Sequence, residues 1–173
     1  MASPKIEVLI PQAEIQKRIA ELGAEISGDY GDRPLVLVGV LKGSFMFLAD
    51  LVRAISSPVR IEFIGAKSYE GTSTSGQVQI TKDLDKPIND EDILLVEDII
   101  DTGLTLNYLL HVLSQRSPRS IRTVAFLDKP SRRRIEVRGD YIGFTIEDKF
   151  VIGYGLDFEQ KYRNLKDLCI LVP

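Results

Sequence analysis

Cysteine is nearly absent from this chain of 173 residues, in which Cys169 stands alone. No disulfide within the chain can staple the fold, and a reducing compartment is expected. Long apolar runs are missing too. None approaches the roughly 20 residues a membrane helix needs. The opening Met1-Ala2-Ser3-Pro4-Lys5 is followed by no apolar stretch of signal length, so a soluble, cytoplasmic protein is expected. Excess positive charge is also lacking. The 22 Lys and Arg stand against 25 Asp and Glu, a net charge of −3, and the pI is about 5.3. That balance argues against general nucleic-acid binding, which depends on neutralising phosphates. Repeats and low-complexity segments do not occur. What is present, 44% hydrophobic and 27% charged residues, is ordinary for a soluble globular protein and excludes disordered and fibrous classes. The length fits one domain over 1–173, large enough to bury a core.

Apolar runs alternate with helical patterns, which predicts an α/β fold with a mainly parallel central sheet flanked by helices. Ile15, Ile19, Leu22 and Ile26 recur at helical spacing. Residues 35–40 form an unbroken apolar run of buried-strand length. In the helix that follows, Phe45, Leu48, Ala49 and Val52 are expected on one face, with Ser44 as N-cap. Strands are expected at 60–65, 77–81, 93–96 and 123–127. Between 68 and 76 the Gly- and Ser-rich sequence, starting with Ser68 and Tyr69, reads as a mobile loop. Leu106, Leu109, Leu110 and Leu113 mark another helix, on which His111 reads as a structural or surface residue. Arg132-Arg133-Arg134 reads as a solvated loop. The final third, with apolar segments at 141–144, 151–154 and 168–172, is expected to form short strands. With the N-terminal segment these make a small hood beside the main sheet, and Cys169 is buried there.

The chemistry concentrates in Leu94-Leu95-Val96-Glu97-Asp98-Ile99-Ile100-Asp101-Thr102-Gly103-Leu104-Thr105. An apolar strand ends in two carboxylates, a turn carries a third, and Thr-Gly-x-Thr opens a helix. Ligands of open α/β sheets sit at the carboxyl ends of strands. The unpaired amides of a helix N-terminus favour anions. Gly103 permits close approach, and the hydroxyls of Thr102 and Thr105 add donors. This is a phosphate cradle. It lacks the lysine of a P-loop, and no Gly-x-Gly-x-x-Gly occurs, so kinase and dinucleotide readings are weak. Glu97 and Asp98 suit ribose hydroxyls and a hydrated Mg²⁺. Capping alone would not need three acids.

The segment 96–105 resembles the motif by which phosphoribosyltransferases bind phosphoribosyl pyrophosphate (PRPP). From about Ile6 to its end the chain resembles the hypoxanthine-guanine, or 6-oxopurine, phosphoribosyltransferases, whose variant of the motif carries an acid at the position of Asp101. Three further segments agree. Leu41-Lys42-Gly43-Ser44 resembles the pyrophosphate loop, where the bond before the lysine is commonly cis. Lys67-Ser68-Tyr69 resembles the start of the flexible catalytic loop. Asp148-Lys149-Phe150-Val151-Ile152-Gly153-Tyr154-Gly155-Leu156-Asp157, with Tyr162-Arg163, resembles the base and pyrophosphate end of the site. Leu104 departs from members that carry lysine within the phosphate loop.

The resemblance implies a type I phosphoribosyltransferase-like fold, Mg²⁺ as cofactor, PRPP and a 6-oxopurine base as substrates, and a homodimer or homotetramer. It implies that Glu97, Asp98, Asp101, Thr102, Gly103, Leu104 and Thr105 hold the ribose and 5-phosphate. Lys42, Gly43 and Arg163 would bind pyrophosphate, and Glu97, Asp98 and Asp157 would hold metal. Lys129 would donate to O6 of the purine, Phe150 would stack on it and the Val151 backbone would meet its C2 edge. Asp101 would be the catalytic acceptor at N7. The rival from another class is an RNA-binding regulator on the same fold with little catalysis. The acidic pI and the joint presence of Asp101 and Lys129 speak against it. A PRPP synthetase-like enzyme would not need Phe150-Val151.

Overall fold

The computed structural model describes residues 5–69 and 77–172. In chain order its elements are β1 (Lys5–Ile10), α1 (Gln12–Tyr30), β2 (Leu35–Leu41), α2 (Phe45–Ala54), β3 (Val59–Tyr69), β4 (Gln77–Lys82), β5 (Asp92–Ile100), α3 (Leu104–Ser114), β6 (Ser120–Asp128), β7 (Tyr141–Thr145), β8 (Val151–Ile152) and β9 (Leu168–Val172). A single 3-10 turn, Pro130–Arg132, follows β6.

Six strands form the main sheet in the order β4-β3-β2-β5-β6-β7. All neighbours run parallel except β4, which returns antiparallel to β3. The strand pleat sends alternate side chains to opposite faces. Leu35 and Leu37 of β2, Leu94 and Val96 of β5, and Val124 and Phe126 of β6 pack with α1 and α2. Val36, Val38, Ile93, Leu95 and Ala125 pack with α3 on the other face. Ile15, Ile19, Leu22 and Ile26 of α1 are buried, as their spacing predicts. The hood is a second sheet, β1-β9-β8, wholly antiparallel, and Cys169 is buried in it. The α/β class, the mainly parallel sheet and the hood from both ends of the chain are as expected.

Five local expectations differ. β7, expected in the hood, instead extends the main sheet parallel to β6. A short apolar strand carries no mark of which sheet edge will accept it. The buried stripe of α2 is Phe47, Leu48 and Leu51, while Phe45 is 36% exposed and Ala49 lies on the surface. This helix is apolar almost all round, so periodicity fixes its existence better than its rotation. Ser44 forms no side-chain cap, since its hydroxyl donates back to Val40 O at 2.7 Å. β5 does not stop before its acids but continues through Glu97 and Asp98 to Ile100. Ser68 and Tyr69 belong to the end of β3. The remainder of the expected mobile loop lies outside the described residues.

Phe126 joins the two sheets. Its ring lies 5.5 Å from Phe47, 5.9 Å from Phe144 and 4.9 Å from Tyr154 of the hood segment. It is 1% exposed. Replacing it with alanine removes a buried ring that packs on three others. Phe126→Ala is expected to cost about 3–5 kcal/mol of stability, read as a lowered urea midpoint. A midpoint equal to wild type would show that the hood does not depend on this contact.

Candidate active site

The order of strands selects the place. From β2 the chain moves outward to β3, and from β5 it moves outward the other way to β6. The loops after β2 and β5 therefore diverge, one to α2 on one face and one to α3 on the other. The crevice between them, at the carboxyl ends of the strands, is where such sheets bind ligands. Lys42-Gly43-Ser44 follow β2, Asp101-Thr102-Gly103 follow β5, and Lys129 follows β6. The Leu41–Lys42 bond is cis.

At Gly43 the backbone approaches the acid pair so closely that a Cβ there would stand 1.7 Å from Asp98 Oδ2. Glycine is required by this approach. On its far side Gly43 O packs against the backbone of Gly155. The loop after β2, the end of β5 and the Gly153–Arg163 region thus meet at one point.

Glu97 is 4% exposed. Burial first, and then the charge of Asp98, push its carboxyl well above the usual range. Burial also raises Asp98 to about 6, against the amide of Ile99 and the charge of Arg163, which lower it, while Asp157 raises it. The Ile99 amide donates to Asp98 Oδ1 at 2.7 Å. After the acids the chain turns at Gly103, whose φ of +87° suits glycine, and α3 begins. No side chain caps this helix, so its first-turn amides face a cavity of about 200 Å³ lined by Glu97, Asp98, Asp101, Thr102, Gly103 and Thr105. Leu104 N bonds weakly to Thr102 Oγ1 at 3.4 Å. The turn is braced from outside: Thr102 O accepts from the amides of Arg134 and Ile135.

A second cavity, about 410 Å³, opens beside the first and is lined by Lys42, Lys67, Lys82, Gln160 and Arg163. Four cations face it, and among the described residues no acid lines it. Arg163 donates to Gly155 O at 2.7 Å and pairs with Asp157 at 3.0 Å. Asp157 Oδ2 accepts from Gln160 N at 2.8 Å, so both its oxygens are engaged by protein donors. Lys42 Nζ lies 3.4 Å from Gln160 Oε1.

The third part is apolar and cationic. Lys129 N donates to Ile100 O at 2.9 Å, which ties the end of β6 to the end of β5. The Lys129 side chain is 9% exposed, with Nζ 3.9 Å from Asp148 Oδ1. Phe150 is 56% exposed and meets Phe158 edge-on at 5.7 Å, so a ring face is open to solvent. Val151 is buried. His111 lies exposed on α3, away from these groups by sequence and without a role here.

Several residues of the site escape sequence reasoning. Lys82 reaches the cationic cavity, beside the Lys67 of the quoted loop start, because β4 pairs antiparallel with β3 at that end. The arginine run is not a free loop. Arg133 forms a close ion pair with Asp128 and donates to Asp101 O at 3.2 Å. Arg132 Nε donates to Asp101 Oδ1 at 3.1 Å. Asp148, quoted only as part of a motif, pairs with both Lys129 and Arg132. The available signal was the spacing of Lys129 and Arg132, three apart across a turn.

The oxygen donors of Glu97 and Asp98 fit a hard divalent cation. Among the described residues no three Asp, Glu, His or Cys side chains converge on one point. The protein alone therefore offers an incomplete shell, one that substrate oxygens and water would complete.

The model of the phosphoribosyl transferase domain family matches residues 10–159. A hypoxanthine phosphoribosyltransferase of Salmonella typhimurium is 50% identical over 163 residues, covering 92% of each chain. A hypoxanthine-guanine phosphoribosyltransferase of Bacillus subtilis is 46% identical over 168 residues, covering 96% of this chain and 93% of its own. A crystal structure of a hypoxanthine phosphoribosyltransferase from Staphylococcus aureus superposes with a TM-score of 0.93 at 44% identity, covering 96% of this chain and 91% of that one. The chain belongs to the phosphoribosyltransferase family.

The raised carboxyls have a thermodynamic consequence. Folding lifts Asp98 from 3.8 to about 6. Between those values the native state holds a proton that the unfolded state has lost, so stability falls as pH rises. In chelator and without substrate, Asp98→Asn should be more stable than wild type at pH 8, by about 3 kcal/mol, and no more stable at pH 3. Melting curves across this range check it. A constant difference at every pH would mean that Asp98 is not held above its ordinary value.

Proposed function

We propose that this chain is a purine-salvage enzyme that transfers the 5-phosphoribosyl group of PRPP to a 6-oxopurine, hypoxanthine or guanine and by extension xanthine, with release of pyrophosphate. The observation that carries the reading is the meeting of three kinds of chemistry at the carboxyl ends of the strands: a helix start without a side-chain cap beside two buried acids, a cluster of four cations, and an open phenyl face beside a buried lysine. The similarity to named hypoxanthine and hypoxanthine-guanine phosphoribosyltransferases supports it. The rival reading, an RNA-binding regulator, gains no support from a net charge of −3.

Each residue has a task in this reaction. The amides of Thr102, Gly103, Leu104 and Thr105 hold the 5-phosphate at the positive end of α3. Glu97 and Asp98 accept hydrogen bonds from the ribose hydroxyls. Lys42 and Gly43 direct donors at pyrophosphate, and Arg163 adds its planar fork. Glu97 and Asp98 would hold one Mg²⁺ and Asp157 a second, and the bound ions would offset the negative charge of the pyrophosphate oxygens. As the bond between the anomeric carbon and pyrophosphate breaks, negative charge grows on the leaving group, where the cations are already in place. The purine N9 attacks from the opposite face and inverts the centre. Asp101 takes a hydrogen bond or the proton from N7. Lys129 donates to O6, which a 6-aminopurine cannot accept in the same way. Phe150 stacks on the ring, and the Val151 backbone meets the C2 edge. Ser68 and Tyr69 stand at the entrance to the loop that shields the reaction from water.

Exposed Phe45, Val59 and Ile61 support self-association into a dimer or tetramer. No helix among the described residues is long and apolar enough to cross a membrane.

The decisive assay mixes protein, Mg²⁺, PRPP and one base at a time and measures nucleotide. IMP from hypoxanthine is expected, with none from adenine and none in excess chelator. Adenine turnover equal to hypoxanthine would overturn the assignment.

Asp101→Asn should lower the single-turnover rate by roughly 10²-fold, with PRPP affinity little changed. Asparagine keeps the shape of the side chain and loses its charge and basicity. A single-turnover rate within about threefold of wild type would leave Asp101 as a brace of the turn.

A further inference from the structure

Asp101 and Lys129 stand on successive strand ends and are joined by no direct ion pair among the described residues. They are joined through two other side chains. Arg132 Nε donates to Asp101 Oδ1 at 3.1 Å, and its NH1 lies 3.6 Å from Asp148 Oδ2. The other oxygen of Asp148 lies 3.9 Å from Lys129 Nζ. The result is a row of alternating charge: acid, arginine, acid, lysine. We propose that Arg132, with Asp148, is a positioning residue that holds Asp101 and Lys129 at a fixed separation along one edge of the purine. This rests on the proposed function, in which N7 and O6 of the base are read by those two groups.

The local fold explains how one side chain does this. Residues three apart in a 3-10 turn stack one above the other. Lys129 is the residue before the Pro130–Arg132 turn, and Arg132 N closes the turn on Lys129 O at 3.1 Å. Lys129 and Arg132 therefore leave the backbone on the same side, and both reach Asp148. Arginine supplies two donors in one plane, aimed at two carboxylates, which a lysine cannot do. Neighbouring charges do not compete: Arg133 is committed to Asp128, and Lys149 to Glu147 at 3.4 Å.

The row also solves a problem of charge. An acid and a lysine that must both face the same small ring tend to collapse onto each other, which would silence both. Giving Asp101 its own cation and Lys129 its own anion keeps them apart and aimed at the ligand. These contacts are half exposed, with Arg132 at 45%, Asp101 at 41% and Asp148 at 53%, so they add little to folding. Their removal is therefore readable in kinetics without loss of the fold.

The test is steady-state kinetics on Arg132→Met, Arg132→Lys, Asp148→Asn and the double variant Arg132→Met/Asp148→Asn, with hypoxanthine and PRPP varied separately. Arg132→Met is expected to lower kcat/KM for hypoxanthine by roughly tenfold or more, the usual scale for a displaced reacting group. KM for PRPP should stay within about twofold of wild type and the melting temperature should not move. Arg132→Lys should recover only part of the loss. The double variant should be no worse than its worse parent, because both changes break one row. Wild-type kinetics in Arg132→Met, a PRPP KM that rises in step, or losses that add would each overturn the positioning role while the wild type remains active. A wild-type chain inert with every 6-oxopurine would instead overturn the proposed function.

Discussion

Strands β2 and β5 lie side by side at the centre of the sheet, and their side chains are buried along almost their whole length, on both faces. Such strands have no wet face on which to carry polar groups. Their chemistry is displaced to their carboxyl ends, where the chain leaves the core. Because α2 and α3 depart to opposite faces, those two ends also open a crevice. The parallel register sets β2 beside β5 from Leu35↔Asp92 to Gly39↔Val96. It thereby fixes how far Lys42 and Gly43 stand from Glu97 and Asp98. Packing of the core and alignment of the site are one constraint seen from two sides.

The same constraint places two carboxylates where they are costly. Glu97 sits within β5 and is shielded from water, and its neighbour is another acid. Desolvation and like charge both favour the protonated forms, which is why both groups lie above their ordinary values. A structure selected for stability alone would place apolar residues there. Retaining the pair makes sense where a ligand supplies what the fold lacks. Ribose hydroxyls donate to carboxylates, and a divalent cation favours their ionised forms. Arg163, already acting on Asp98 in the free protein, is the fold's own partial compensation.

Much of this was legible before the structure. Apolar runs and helical spacing are statements about burial, and burial is what the sheet and α1 deliver. The phosphate turn was legible because acids, Thr and Gly at close spacing have few structural uses. What escaped had nonlocal causes. The rotation of α2 depends on which side of a nearly uniform apolar helix meets Leu35 and Leu37. The home of β7 depends on β6 offering an open edge. Lys82 enters the cationic cavity only through antiparallel pairing of β4 with β3. Arg132 looked like part of a solvated run because its two partners, Asp101 and Asp148, are 31 and 16 residues away in sequence.

An acidic chain that binds a polyanion is a matter of local arrangement. At physiological salt, charges farther apart than about 8 Å are largely screened, so net charge says little about a cleft. Lys42, Lys67, Lys82 and Arg163 face one cavity, while most of the acids elsewhere are paired on the surface. The cavity lined by Lys42 and Arg163 is therefore locally positive, and the one lined by Glu97, Asp98 and Asp101 carries the acids. PRPP has the complementary pattern, with anionic groups at both ends of a neutral, hydroxyl-bearing ring. The alternation continues past the ribose, where Asp101, Arg132, Asp148 and Lys129 follow in turn. On the proposed function, this separation of charge would set which end of PRPP meets the cations and which part meets the acids.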